Sequence, residues 1–115
     1  MADSPYITKT KEFALQIINV CNYVKQNKKE SVLTNLIRSG TSVGANIREA
    51  FYGHGTADFI AKLQIALKEC SESEYWLELL IESRYYDNQD VLDKCIEVKK
   101  LLITSINTAK SRLNK

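Results

Sequence analysis

Residues that interrupt helices are scarce in this chain of 115 residues, which has one proline and four glycines. With 44% hydrophobic and 26% charged residues, this scarcity excludes collagen-like, proline-rich and disordered proteins. Apolar runs extend over three or four residues at most, whereas a membrane-spanning helix needs ~18. Residues 1–5 show no signal-peptide pattern. We therefore expect one globular domain over residues 1–115, located in the cytoplasm and not in a membrane.

Histidine and cysteine, which often bind metals or act as nucleophiles, are also few: one His and three Cys. A di-iron bundle needs Glu-x-x-His pairs on two helices, and the single His54 lies in a glycine-flanked turn. The cysteines form no Cys-x-x-Cys motif and are expected to be buried and reduced: Cys21, Cys70 and Cys95. Three glutamates of the third helix are expected on a solvated face: Glu69, Glu72 and Glu82. We predict no enzyme activity and no cofactor.

The net charge of +2 is too small to indicate a nucleic-acid partner by itself. Its distribution is uneven, because residues 1–30 and 91–115 are basic while residues 61–90 carry seven acids against three bases. Helices of unlike charge packed side by side explain this pattern more simply than a nucleic-acid footprint does.

Apolar residues recur at three- and four-residue spacing in four segments, as in amphipathic helices. The pattern predicts four helices separated by short breaks, over about 6–26, 30–52, 56–84 and 89–113. At the second break, Gly53 is expected in a left-handed conformation and Thr56 as the N-cap of the third helix. Short connections between helices of similar length predict an all-α, antiparallel up-down-up-down four-helix bundle.

The third and fourth helices carry more apolar residues than one core stripe needs. The surplus on the third helix comprises Ile60, Ile65, Tyr75, Trp76 and Leu79. The surplus on the fourth helix comprises Val91, Val98 and Leu101. A homo-oligomer interface centred near Trp76 is the favoured interpretation, although aromatic residues on an ordinary protein surface would give the same pattern.

Gly40 and Gly44 fall inside the second predicted helix, where each glycine costs ~1 kcal/mol relative to alanine. Their spacing of four places them on one face, where a missing side chain lets another helix approach closely. The alternative is a phosphate-binding loop, which requires a preceding strand and often a following lysine. The sequence has neither here, so close packing is favoured, and leucine at either position should destabilise the fold.

Asn46 lies beside the apolar face of the same helix, so its side chain should need polar partners on the third helix. The candidates are Glu69, Ser73 and Glu74. Such a network would fix the register of the two helices. Alternatively, Arg38 and Glu49 could pair across a subunit boundary. The predicted helix-packing motif therefore comprises Gly40, Gly44, Asn46 and Glu49.

Residues 38–50 (RSGTSVGANIREA) and 58–80 resemble segments of the small bacterial four-helix-bundle proteins encoded within intervening sequences of 23S rRNA genes. The resemblance extends from about residue 13 to residue 113. It implies a left-handed antiparallel bundle assembled as a homopentamer, without known catalytic residues. Relatives include the accessory protein of diversity-generating retroelements, a basic pentamer that binds nucleic acid and a reverse transcriptase. This chain differs by being nearly neutral and by having an acidic third helix.

The resulting hypothesis is a non-enzymatic, oligomeric binding module with RNA, a ribonucleoprotein or a nucleic-acid-binding protein as its partner. The residues expected to contact nucleic acid are bases of the fourth helix: Lys94, Lys99, Lys100, Lys110 and Arg112. A purely structural or protein-interaction oligomer is the alternative. An enzyme or small-ligand carrier is a weaker third possibility.

Overall fold

The computed structural model describes residues 5–27 and 32–113. Four α-helices occupy most of them: α1 (Pro5–Asn27), α2 (Val32–Tyr52), α3 (Gly55–Glu82) and α4 (Asp90–Leu113). Short irregular connections lie between α2 and α3 and between α3 and α4, and no described residue is in a strand. The predicted all-α class with four helices is therefore confirmed over the described part of the chain. The molecule is a rod of 51 × 23 × 22 Å.

The helix α3 ends at Glu82 rather than at residue 84, because the chain reverses there. Arg84 adopts the left-handed backbone conformation, with a φ of 66°. The amide groups of Tyr85 and Tyr86 then donate to the Leu80 carbonyl oxygen at 3.0 and 3.2 Å. These bonds close the C-terminus of the helix in a geometry that glycine more commonly adopts. The predicted start of the second helix, residue 30, lies outside the described residues.

In the connection between α2 and α3, the left-handed glycine is not the one that was predicted. Gly55 adopts that conformation, with a φ of 85°, and Gly53 does not. A Cβ at Gly53 would lie 1.9 Å from Asp58 Oδ2, the end of a side chain that can move away, and 3.3 Å from the Glu49 carbonyl oxygen. The residue before α3 is His54, so the expected role of Thr56 as N-cap is wrong. The helix α3 begins one residue earlier than predicted, because Gly55, its first residue, adopts the left-handed conformation with which the chain changes direction.

The core lies between all four helices. Each helix contacts the next along the chain, with the most extensive contact between α2 and α3, and α1 also contacts α4. Large apolar side chains from every helix are fully buried: Phe13, Ile17, Leu36, Ile47, Leu63, Leu77, Leu80 and Leu102. At about 1.5–3 kcal/mol for each such side chain, burial in this core is the main stabilising contribution.

The apolar surplus predicted on the fourth helix is not available to an oligomer interface. Val91 and Val98 are 2% and 1% exposed, and Leu101 is half-buried. The helix α4 lies against both α1 and α3, so its buried face is wider than a single stripe. Ile60, from the surplus on α3, is also buried, whereas Ile65 is 43% exposed.

All three cysteines are buried and unbridged. Cys70 and Cys95 are 25 residues apart in sequence, yet their Sγ atoms lie 3.8 Å apart between α3 and α4. Each of these sulfur atoms also lies 3.4 Å from the carbonyl oxygen of the other residue. The hydrogen bond with Cys70, followed by burial, raises the pKa of Cys95, and burial raises the pKa of Cys21 to about 11. The thiols of Cys21 and Cys95 are therefore protonated at neutral pH and pack as small apolar groups.

Gly40 and Gly44 both face α1. A Cβ on the buried Gly40 would lie 2.7 Å from Ile17 Cγ1 and 3.2 Å from Ile17 Cβ. A Cβ on Gly44 would make an ordinary contact, 3.5 Å from Thr10 Oγ1. The lack of a side chain at Gly40 therefore sets the distance between the two helices, whereas an alanine fits at Gly44.

Alanine substitutions at these two glycines should differ in their effect on stability. In Gly40→Ala, overpacking against Ile17 should cost ~1–3 kcal/mol, which matches or exceeds the ~1 kcal/mol gained from helix propensity. In Gly44→Ala the propensity gain should remain, so this variant should be up to ~1 kcal/mol more stable than wild type. Urea unfolding followed by circular dichroism measures both free energies. A Gly40→Ala variant as stable as Gly44→Ala would contradict the packing explanation.

Candidate functional site

A polar cluster around the Arg38 guanidinium joins α2 to α3. Arg38 Nη1 donates to Glu69 Oε2 at 2.7 Å, and Arg38 Nη2 donates to Glu72 Oε2. Trp76 Nε1 donates to the same Glu72 oxygen at 2.9 Å. The Glu69 side chain is 8% exposed and that of Glu72 28%, so the prediction that they project on a solvated face is wrong.

The spacing of Glu69 was a signal for this cluster. Glu69 lies between Ala66 and Ser73 at three- and four-residue intervals, on the stripe that α3 buries. Ser73 is fully buried, with its Oγ 2.9 Å from Ser39 Oγ and 2.9 Å from the Glu69 carbonyl oxygen. A carboxylate on a core stripe needs a nearby cation. Arg38, on the neighbouring helix, supplies it.

Hydrogen bonds set the charge states of the cluster. The Trp76 indole, with a further contribution from the Arg38 guanidinium, lowers the pKa of the Glu72 carboxyl below its usual range. Glu72 in turn raises the pKa of Arg38, chiefly by accepting its hydrogen bond. Both groups therefore stay charged at neutral pH and hold α2 against α3. Because donors occupy these carboxylate oxygens, the cluster is suited to positioning helices rather than to proton transfer.

The partners of Asn46 and Glu49 differ from those expected. Asn46 Nδ2 donates to the Ser42 carbonyl oxygen of its own helix at 2.9 Å, so the predicted bond to α3 is wrong. Asn46 is half-buried, and the carbonyl four residues earlier on its own helix satisfies its amide. The exposed Glu49 accepts a hydrogen bond from Lys62 Nζ at 3.2 Å. Glu49 and Arg38, the residues predicted to pair across a subunit boundary, thus both have partners within the chain.

Two of the three residues predicted at an oligomer interface form an exposed apolar surface on α3. Tyr75 is 56% exposed and Leu79 is 41% exposed. Trp76 is half-buried against the core, and its ring centroid lies 5.1 Å from that of Tyr75. The exposed surface is therefore centred on Tyr75 and Leu79, because Trp76 packs against the core and donates its indole N–H to Glu72 of the same helix.

The five cations predicted to contact nucleic acid are not all free to do so. Lys94 Nζ lies 3.7 Å from a Glu12 carboxylate oxygen, and Lys99 Nζ lies 2.6 Å from one of Glu74. The other three are exposed and make no ion pair with any described residue: Lys100, Lys110 and Arg112. Acids of α1 and α3 therefore neutralise two of the five cations.

A groove between α1 and α2 was not predicted, although Gly44 and Glu49 of the predicted helix-packing motif line part of it. Two adjoining cavities of about 340 and 420 Å³ share three lining residues: Ile7, Lys11 and Arg48. We call the two cavities together the α1–α2 groove. Its lining residues come from helices that are separate in sequence, so no local motif signals it.

The described residues were also compared with the requirements for a membrane-spanning helix and for a metal site. Within residues 5–27 and 32–113, no helix is both long enough and apolar enough to cross a bilayer. Over the same residues, no three His, Cys, Asp or Glu side chains come together in a way that could hold a metal ion.

Four amphipathic helices around a common core, joined by polar contacts, define a small helical-bundle protein. The chain belongs to the 23S rRNA-intervening sequence protein family, whose model matches residues 3–104. The family resemblance of residues 38–50 and 58–80 is thereby confirmed.

A solved structure supports the same assignment. The chain is 45% identical to a protein with unknown function from the S23 ribosomal protein family of Bacteroides thetaiotaomicron VPI-5482, whose crystal structure has a resolution of 1.70 Å. The match covers 88% of this chain and 97% of the other, with a TM-score of 0.84. No curated protein matches the chain.

Replacing Glu72 by glutamine should lower stability in a pH-dependent way. Because the pKa of Glu72 is lowered in the folded state, its charge stabilises the fold at neutral pH, and this contribution is lost as the pH falls through that pKa. Glu72→Gln should therefore cost up to about 1 kcal/mol at neutral pH, and the difference from wild type should disappear in acid. Urea unfolding at several pH values, followed by the fluorescence of Trp76, measures this difference.

The matched control is Asp87→Asn. Asp87 is exposed in the connection between α3 and α4 and makes no ion pair with a described residue, so this variant should match wild type in the same measurements. If Glu72→Gln lost the same free energy at acidic and neutral pH, the electrostatic explanation would be wrong.

Proposed function

We propose that the protein is a non-enzymatic, oligomeric module of the cytoplasm that acts by binding, with RNA or a ribonucleoprotein as its partner. The observation that carries this proposal is a set of α4 cations without a counter-charge in the described chain: Lys100, Lys110 and Arg112. A phosphate backbone supplies such a counter-charge, and its binding releases cations condensed on the nucleic acid. The family's association with a 23S rRNA intervening sequence supports RNA as the nucleic acid.

The assembly that we propose is a left-handed, antiparallel up-down-up-down bundle whose copies close into a ring of five. Two ion pairs support the antiparallel order, because residue numbers rise along α1 while they fall along α4: Lys9–Glu97 and Glu12–Lys94. The handedness and the number of subunits follow from the family resemblance. A ring repeats each free cation once per subunit, which concentrates positive charge although the chain has a net charge of only +2.

A purely structural or protein-interaction oligomer is the second candidate. The ion pairs of Lys94 and Lys99 favour it, because they remove two of the five cations from any phosphate contact. The acids Glu78 and Glu82 on the outer side of α3 also favour it, because they would repel phosphate.

The first test concerns assembly. Leu79→Glu should convert the oligomer to monomers, because it places a charge within the exposed apolar surface of α3. Leu79 is 41% exposed, so the isolated subunit should lose no more than ~0.5 kcal/mol of stability. Native mass spectrometry at micromolar concentration measures the mass. Ile103→Glu is the control, because Ile103 is 42% exposed on α4 and should tolerate the change. A monomeric wild type would refute the assembly.

The second test compares free with paired cations. Lys100→Gln/Lys110→Gln removes two charges that lack a counter-charge, whereas Lys9→Gln/Lys94→Gln removes two that acids already neutralise. The first variant should bind RNA more weakly, and the slope of log affinity against log salt should fall by roughly 0.7 for each lost contact on a single strand. The second variant should keep most of the wild-type affinity and slope.

Filter retention of RNA at increasing salt measures both variants against wild type. The loss should be similar for different RNA sequences, because backbone contacts carry no base information. No retention of RNA by wild type at low salt would refute the RNA partner and leave the second candidate.

A further inference from the structure

The α1–α2 groove brings together two cations that have no ion-pair partner among the described residues. Lys11 and Arg48 line both of its cavities, and neither makes an ion pair with a described residue. Two acids also line the groove, and each is paired with a lysine: Glu49 in the first cavity with Lys62, and Glu12 in the second cavity with Lys94. Two like charges facing the same depression repel each other, so an incoming anion lowers the energy of both.

The floor of the groove is apolar. Ile7 lines both cavities, and Ala14 and Ala45 line the first, where Gly44 adds no side chain. Leu15 lines the second cavity and is 53% exposed. A phosphate backbone would meet the two cations but leave this apolar floor uncovered. A helix with acidic and apolar residues on one face would match both features of the groove.

The outer side of α3 has this chemistry. Four residues at three- and four-residue spacing form a ridge that we call the α3 ridge: Tyr75, Glu78, Leu79 and Glu82. Glu78 is half-buried, Glu82 is exposed, and neither makes an ion pair with a described residue. The α3 ridge and the α1–α2 groove are therefore complementary both in charge and in apolar character.

The ridge and the groove lie on different sides of one subunit. Among the described helices, α1 and α3 are not neighbours, because each lies beside α2 and α4. The α3 ridge therefore cannot reach the groove of its own chain. A second copy of the chain can present its ridge to the groove.

We propose that the α3 ridge of one copy docks in the α1–α2 groove of the next, with Glu78 and Glu82 facing Lys11 and Arg48. This inference rests on the proposed oligomer and names the two surfaces that would build it. Because the two surfaces differ, the contact is heterologous and repeats head to tail. Such a contact forms a closed ring when the rotation between copies returns to its start.

Charge reversal tests this contact, because reversing one surface should weaken the assembly and reversing both surfaces should restore it. Lys11→Glu/Arg48→Glu and Glu78→Lys/Glu82→Lys each place like charges across the contact, so each should raise the dissociation constant of the assembly by roughly tenfold or more. The chain with all four substitutions should regain the wild-type mass, because the charges of ridge and groove are then exchanged together. Native mass spectrometry and sedimentation at equal protein concentration measure the mass, and circular dichroism verifies folding.

The control is Lys100→Glu/Lys110→Glu, which changes the net charge as much as the groove reversal does and should leave the mass unchanged. The docking is refuted if either double reversal keeps the wild-type dissociation constant. It is also refuted if the folded chain with all four substitutions stays dissociated. Should the groove reversal unfold, Lys11→Gln/Arg48→Gln must still raise the dissociation constant, and an unchanged value would overturn the proposal.

Retention of RNA, measured on the same samples, separates this inference from the proposed function. An intact assembly that binds no RNA refutes only the RNA partner. A groove variant that keeps its mass refutes only the docking of the ridge. A monomeric wild type refutes the docking as well as the ring.

Discussion

The close approach of α2 to α1 at Gly40 is the constraint on which the rest of the structure depends. No side chain separates the Gly40 backbone from Ile17, so the two helices lie at a short distance and Ile17 is fully buried. The same approach leaves a depression on the outer side, which small residues line: Ala14, Gly44 and Ala45. A glycine that weakens the helix locally thus shapes both the core and the groove.

The opposite side of α2 is held by charge. Glu69 is almost fully buried, whereas the Arg38 side chain that neutralises it is 51% exposed. Because the guanidinium keeps much of its hydration, this pair avoids part of the desolvation penalty of a fully buried ion pair. Trp76 completes the arrangement by donating to Glu72, which Arg38 also binds. α2 is therefore the helix against which both α1 and α3 are positioned.

The pattern of ion pairs separates charges that hold helices together from charges that remain for a partner. Lys94 and Lys99 have acids on neighbouring helices, as expected where helices of unlike charge lie side by side. Lys11 and Arg48 have none among the described residues, although Lys9 and Glu12 on either side of Lys11 are both paired. The net charge of the chain does not reveal this division, because it counts neutralised and free groups alike.

The sequence by itself determined the four helices and the family. Helical periodicity and the segment of residues 38–50 are local patterns, and each residue in them is read against neighbours three or four positions away. Only the tertiary structure decided that Val91 and Val98 belong to the core, that Glu69 is buried beside Arg38, and that a groove lies between α1 and α2. These features join residues that are distant in sequence. Their contacts depend on how closely the helices approach and how they are rotated, which the packing of the whole core sets and no local pattern encodes.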